Sequence, residues 1–80
     1  MLADGVDRDS LHEHLRLAER HLADGQRRLE HQRGVIDRLR RHGHEYRALQ
    51  GEKLLRTFEQ LQTMNLAELT RIREELARTP

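Results

Sequence analysis

From Leu11 to Leu39 the residues Leu11, Leu15, Ala18, Leu22, Gly25, Leu29, Gln32, Ile36 and Leu39 follow one another at spacings of 4, 3, 4, 3, 4, 3, 4 and 3 without a slip. This is the heptad signature of a helix with one buried seam. Read alone, Asp24-Gly25 is a turn dipeptide, and a turn there would cut the region into short helices. It would also have to restart the spacing in phase by coincidence. The spacing therefore predicts one helix over about 11–42, roughly 48 Å long. Two glycines then lie inside it, each costing up to about 1 kcal/mol relative to Ala. Gly25 falls on the seam, where a missing side chain has a packing use. Gly34 faces outward, and the periodicity gives no reason for it.

Ser10-Leu11-His12-Glu13 has the form of a capping box, with the Ser10 hydroxyl accepting from the Glu13 amide and the Glu13 carboxylate reaching back. Residues 1–9, with Gly5 and three aspartates, then read as a flexible acidic tail. Gly43, preceded by Arg40, Arg41 and His42, suits the left-handed position beyond a helix C-terminus. A second helix is expected over about 46–78. Its apolar positions, Leu54, Leu55, Phe58, Leu61, Met64, Leu66, Leu69, Ile72 and Leu76, are broader than a two-residue seam. A central stripe of Leu55, Phe58, Gln62, Asn65, Leu69, Ile72 and Leu76 leaves Leu54, Leu61 and Leu66 beside it.

Folding at Gly43-His44 gives an all-α antiparallel two-helix hairpin, a single domain over 1–80. Leu29 then meets Phe58, Ala18 meets Leu69, Leu15 meets Ile72 and Leu11 meets Leu76, with Gly25 opposite Leu61 and Gln62. The expected hairpin seam is Leu15, Ala18, Leu22, Gly25, Leu29, Ile36, Leu55 and Phe58. Only 35% of the chain is hydrophobic against 36% charged, with one Tyr, one Phe and no Trp, so a hairpin this thin cannot cover every apolar residue. Each fully buried Leu contributes on the order of 2 kcal/mol, which predicts that two hairpins dimerise into a four-helix bundle. The expected dimer interface is Leu54, Leu61, Asn65, Leu66, Leu69 and Ile72. Net charge is distributed along the hairpin: −3 over 1–25, +5 over 26–56 and −1 over 57–80. An antiparallel dimer sets each basic turn end against its partner's acidic end; a parallel one sets like against like.

The residues that could carry chemistry give weak signals. No pair among the six histidines stands at the i,i+3 or i,i+4 spacing that points two ligands at one ion. His42-Gly43-His44 is the least poor metal candidate, and no metal or cofactor is expected. His14, His21 and His42 share a stripe beside the seam, so their protonation would crowd positive charge and weaken assembly in acid. With no Cys, no glycine-rich loop after a strand, and hydroxyls (Ser10, Thr57, Thr63, Thr70, Thr79) only at caps or along helices, no catalytic constellation emerges. The expectation is a non-enzyme. The basic run toward the turn is the strongest functional candidate, with Arg33, Arg38, Arg40, Arg41, Arg47 and Lys53 available for a nucleic acid or an acidic partner. Glu30, Asp37, Glu45 and Glu52 interleave with it, as on an ordinary solvated helix surface. Gln32 and Asn65 are polar residues where a seam expects Leu. A buried amide can fix register and assembly state, and Asn65 is the favoured candidate; Gln32 can instead reach outward near Leu55.

The segments ERHLADGQRRLEHQRGVIDRLRRHGHE and LLRTFEQLQTMNLAELTRIREEL together resemble a group of small proteobacterial helical-hairpin proteins with no established function. Glu19, His21, Gly25, Gln32, Gly43, His44, Leu54, Leu55, Phe58 and Glu59 match their pattern. The chain departs from it after the turn, where Glu45-Tyr46 replaces a better helix cap such as Asp or Thr. The resemblance implies a hairpin and supplies no activity.

No apolar run approaches the roughly 20 residues that span a bilayer, and the N-terminus lacks the basic and apolar regions of a leader. The absence of Cys and the use of Arg over a single Lys fit a bacterial cytoplasmic protein. The functional expectation is a helical interaction protein that self-associates as a homodimer and binds a protein partner. A small regulator, or a phage or mobile-element inhibitor of a host system, is a concrete version of it. The alternative is a dimeric helical hairpin that binds RNA or DNA through its basic turn end.

Overall fold

The computed structural model describes residues 7–80. They form two antiparallel helices, α1 (Arg8–Arg41) and α2 (Glu45–Arg78). The long seam therefore is one helix, and Asp24-Gly25 lies inside it. The hairpin is a rod of 62 × 15 × 15 Å with a radius of gyration of 18.0 Å, against about 12 Å for a compact globule of this length. No helix among the described residues is long and apolar enough to cross a membrane.

α1 begins one turn earlier than the Ser10 capping box predicts. Asp7 is the cap: its carboxylate accepts from the Ser10 amide at 2.8 Å, and its carbonyl accepts from the Leu11 amide at 3.0 Å. Ser10 thus sits within the first turn and has no capping role. The start is also tied across the hairpin, where the Arg8 guanidinium donates to the carbonyls of Leu76 (3.3 Å) and Thr79 at the end of α2. Residues 7–9, expected in a flexible tail, belong to this cap and first turn; residues 1–6 lie outside the described residues.

The turn has the geometry that Gly43 leads one to expect. Gly43 takes φ +78°, its amide donates to Arg40 O at 3.0 Å, and the His44 amide donates to Leu39 O at 2.8 Å. That is a Schellman closure. His44 then starts α2 directly: its carbonyl accepts from the Ala48 amide at 2.9 Å, while its side chain makes no capping bond. One residue separates the end cap of α1 from the start cap of α2.

Packing follows the expected pairing. Ala18, Leu69 and Ile72 are buried together, with Leu15, Leu22 and Leu76 packed around them. Leu11, Leu29 and Ile36 on α1 and Ala48 on α2 complete the buried apolar set. Between these apolar layers the seam is interrupted twice by the same arrangement. A Cβ on Gly25 would collide with the Gln62 carboxamide, whose Cδ would be 2.8 Å away. Gln62 uses that space to donate to Leu22 O at 2.8 Å. Reciprocally, a Cβ on Gly51 would meet Ile36 Cγ1 at 3.0 Å and Gln32 Nε2 at 3.3 Å, and Gln32 donates to Gly51 O at 2.9 Å. Each helix contributes one glycine and one glutamine. Gln32 is 8% exposed and is the one buried polar residue of the described set, so it turns inward. Asn65 is half-buried beside Gln62, donating to its Oε1 at 3.1 Å and to His21 O at 3.4 Å.

These contacts rank the glycines. Gly34 has nothing nearer to its missing side chain than Arg38 Nη1 at 4.0 Å, so Gly34→Ala should raise stability by up to about 1 kcal/mol. Gly51→Leu should lower it by about 1–3 kcal/mol through overpacking against Ile36. Thermal unfolding at fixed protein concentration checks both signs. Gln32→Glu would aim a carboxylate oxygen at Gly51 O and should cost about 1–3 kcal/mol at neutral pH. Burial raises the folded-state pKa of the introduced carboxyl, so the lost stability should return as pH falls through that value. Unfolding midpoints measured across pH test this.

A candidate protein-interaction surface

On a two-helix rod the side chains that another molecule can reach lie along the flanks. The heptad registers decide what each flank carries. On one flank, α1 and α2 are joined by charges: Glu19 with Arg73 at 3.6 Å, Arg33 with Glu59 at 3.8 Å, and Arg40 with Glu52 and, at 3.9 Å, Glu45. Between these pairs runs an open groove of about 560 Å³, with Leu22, Ala23, Leu29 and Leu66 among its lining residues and Glu19 and Glu59 at its edges.

The opposite flank is built differently. His21, Arg28 and Leu61 line one of its hollows, and His14, Leu17, His21 and Glu68 another. Leu54 precedes Leu61 by one heptad on the same stripe, and Met64 follows it by one turn. Leu17, Leu54, Leu61 and Met64 are 48%, 46%, 44% and 66% exposed. Among the described residues no ion pair joins the two helices on this side. Arg28 lies 5.5 Å from the centre of the Phe58 ring, covering the seam beneath.

The expected interface residues divide accordingly. Leu54 and Leu61 lie on the apolar flank, whereas Leu66 lies across the rod in the ion-paired groove. Leu69 and Ile72 are 2% and 1% exposed within the single chain, packed on Ala18. A partner could cover nothing more of them, so they belong to the hairpin seam. Asn65 also belongs to the seam, through its bond to Gln62. The expected seam residues Leu15, Ala18, Leu22, Gly25, Leu29, Ile36, Leu55 and Phe58 all lie at or partly within the contact between helices.

The basic run is split as well. Arg33 and Arg40 are engaged across the rod as above, and Arg41 pairs with Asp37 at 2.7 Å. Arg38, Arg47 and Lys53 have no ion-pair partner among the described residues. No group of three or more His, Cys, Asp or Glu side chains among the described residues could hold a metal ion. The hydroxyls of Thr57, Thr63 and Thr79 bond carbonyls of their own helix at 3.5, 3.1 and 2.8 Å.

On the apolar flank Glu68 accepts two hydrogen bonds from Arg71, both at 2.9 Å. These bonds hold its carboxyl below the ordinary value, and the nearby His14 adds to the effect. A lowered folded-state pKa means that the contribution of this pair is present above the unfolded value and lost as pH falls through the folded one.

Of the interlocking residues the spacing places Gln62 opposite Gly25 without giving it a bond, and it passes over Gly51. The signal existed: extending the second stripe back from Leu55 by 4 and 3 reaches Gly51 and Ala48, which puts a second glycine on the seam.

Comparison with protein-family models, curated proteins and solved structures finds no match for this chain, so the two flanks are where a functional reading starts.

Proposed function

We propose that the protein is a non-enzymatic helical interaction module, working in the cytoplasm of a bacterial cell, which self-associates through its apolar flank and in that form engages a protein partner. One observation carries this reading: Leu17, Leu54, Leu61 and Met64, each at least 44% exposed, are spaced along the side where no charge pair joins the helices among the described residues. A rod of this thinness gains more from covering such a stripe than from any rearrangement within itself, since each buried Leu is worth on the order of 2 kcal/mol. The other flank is a poorer contact. Burying it would strip water from at least three ion pairs.

A regulator or inhibitor that acts by occupying a surface of its target needs no cavity or nucleophile, and the rod fits that kind of action. The second reading, nucleic-acid binding, is favoured by Arg38, Arg47 and Lys53, which lie toward the net-basic turn end without ion-pair partners among the described residues.

Sedimentation equilibrium at tens of micromolar should give twice the chain mass. Leu61→Glu should give the single-chain mass with helical circular dichroism largely retained. A wild-type monomer would refute self-association, and an unchanged dimer in Leu61→Glu would refute the assigned flank. Capture from nuclease-treated and untreated lysates separates the partner classes. A protein retained after nuclease supports the first reading; retention on heparin and binding of labelled duplex, both lost at modest salt, support the second.

A further inference from the structure

We infer that the occupant of the apolar flank is a second copy of this chain laid antiparallel, with Leu61 on the twofold axis; this rests on the self-association proposed above and specifies its geometry. The stripe that α2 presents on that flank reads Arg47, Leu54, Leu61, Glu68, Glu75, one residue per heptad. It is basic at the turn end, apolar in the middle and acidic at the far end. Leu61 is the midpoint of α2, with sixteen residues before it and seventeen after. A twofold axis there gives the rods full overlap.

The consequences are specific. Arg47 and Glu75 each lie fourteen residues from Leu61, so reversal about Leu61 brings each Arg47 to the other copy's Glu75, twice by symmetry. On α1 the packing of Gly25 on Gln62 places Gln26 at the height of Leu61. Leu17 and Val35 each lie nine residues from Gln26, so Leu17 of one copy comes to Val35 of the other. Val35 shares the flank, one heptad beyond Arg28, and is half-buried. Leu61 thus meets Leu61 and Leu17 meets Val35 while opposite charges close the ends; Leu54 comes beside the other copy's Glu68, whose carboxylate is held by its own Arg71.

The parallel arrangement fails on the same residues. With both turns at one end, α2 lies over the other copy's α1 at equal height. Leu61 would then face Asp24 and Arg28, and each net-basic turn end would lie against the other copy's net-basic turn end.

The chain has no Cys, so introduced thiols report cleanly. Leu61→Cys should form an intermolecular disulfide under mild oxidation. Leu17→Cys should not link to itself, but a short bis-thiol reagent should link it to Val35→Cys in a mixture of the two variants. Arg47→Glu, at an exposed residue, should weaken dimerisation about threefold to tenfold, and adding Glu75→Arg should restore it. A dimer in which Leu61→Cys links to Arg28→Cys but not to itself would overturn the antiparallel geometry and leave self-association standing. A dimer with no link at any of these positions would overturn the assigned flank. A monomeric wild type would remove both readings.

Discussion

Two carboxamides set how the helices of this rod face each other. Gln62 reaches across to Leu22 O at 2.8 Å over Gly25, and Gln32 reaches back to Gly51 O at 2.9 Å. The turn at Gly43 aligns the helices axially, but it cannot fix how each is rotated about its own axis over the roughly 50 Å that 34 helical residues span. α2 especially has that freedom to resolve, because Leu54 and Leu61 flank its seam on one side and Leu66 on the other. Hydrophobic burial alone would accept a roll in either direction. A directional bond to a backbone carbonyl would not, since rolling leaves a buried amide unpaired. The glycines make the bonds reachable, and the bonds make the glycines necessary.

Once the rotation is set, the flanks are set. One carries charge pairs that staple α1 to α2 along much of its length, each exposed and individually weak. The other has no such pair among the described residues and carries the exposed Leu17, Leu54, Leu61 and Met64. The same rotation that buries Leu69 and Ile72 leaves Leu61 outside. The two sides therefore differ in kind: one sets an apolar groove between ion pairs, the other exposes Leu without any charge pair across the helices among the described residues.

Much of this was legible in the residue spacing. The unbroken 4,3 pattern across Gly25 required one helix, Gly43 with three basic residues before it located the turn, and the antiparallel pairing of Ala18 with Leu69 followed. What spacing left open was decided by interactions it does not encode. Asp7 caps α1 ahead of Ser10 while Arg8 fastens to the carbonyls at the far end of α2, a contact between residues 68 and 71 positions apart. Gly51 escaped because a glycine in a helix is a weak signal until its partner, Gln32, is known. The candidate interface was partly misplaced because a wide apolar face does not by itself say which of its edges turns inward: Leu69 and Ile72 went to the seam, and Leu66 to the opposite flank.

The direct test is a distance measured across the hairpin. Nitroxide labels at Arg20→Cys and Ala67→Cys stand on the exposed backs of α1 and α2 at nearly the same height, and their separation responds to helix roll. With labelled chains diluted in unlabelled protein, pulsed electron resonance should give one narrow distance distribution. It should broaden or shift when Gln32 and Gln62 are both changed to Leu. An equally narrow and unmoved distribution in that double variant would contradict the account, because helix rotation would then be set by apolar packing without the amides.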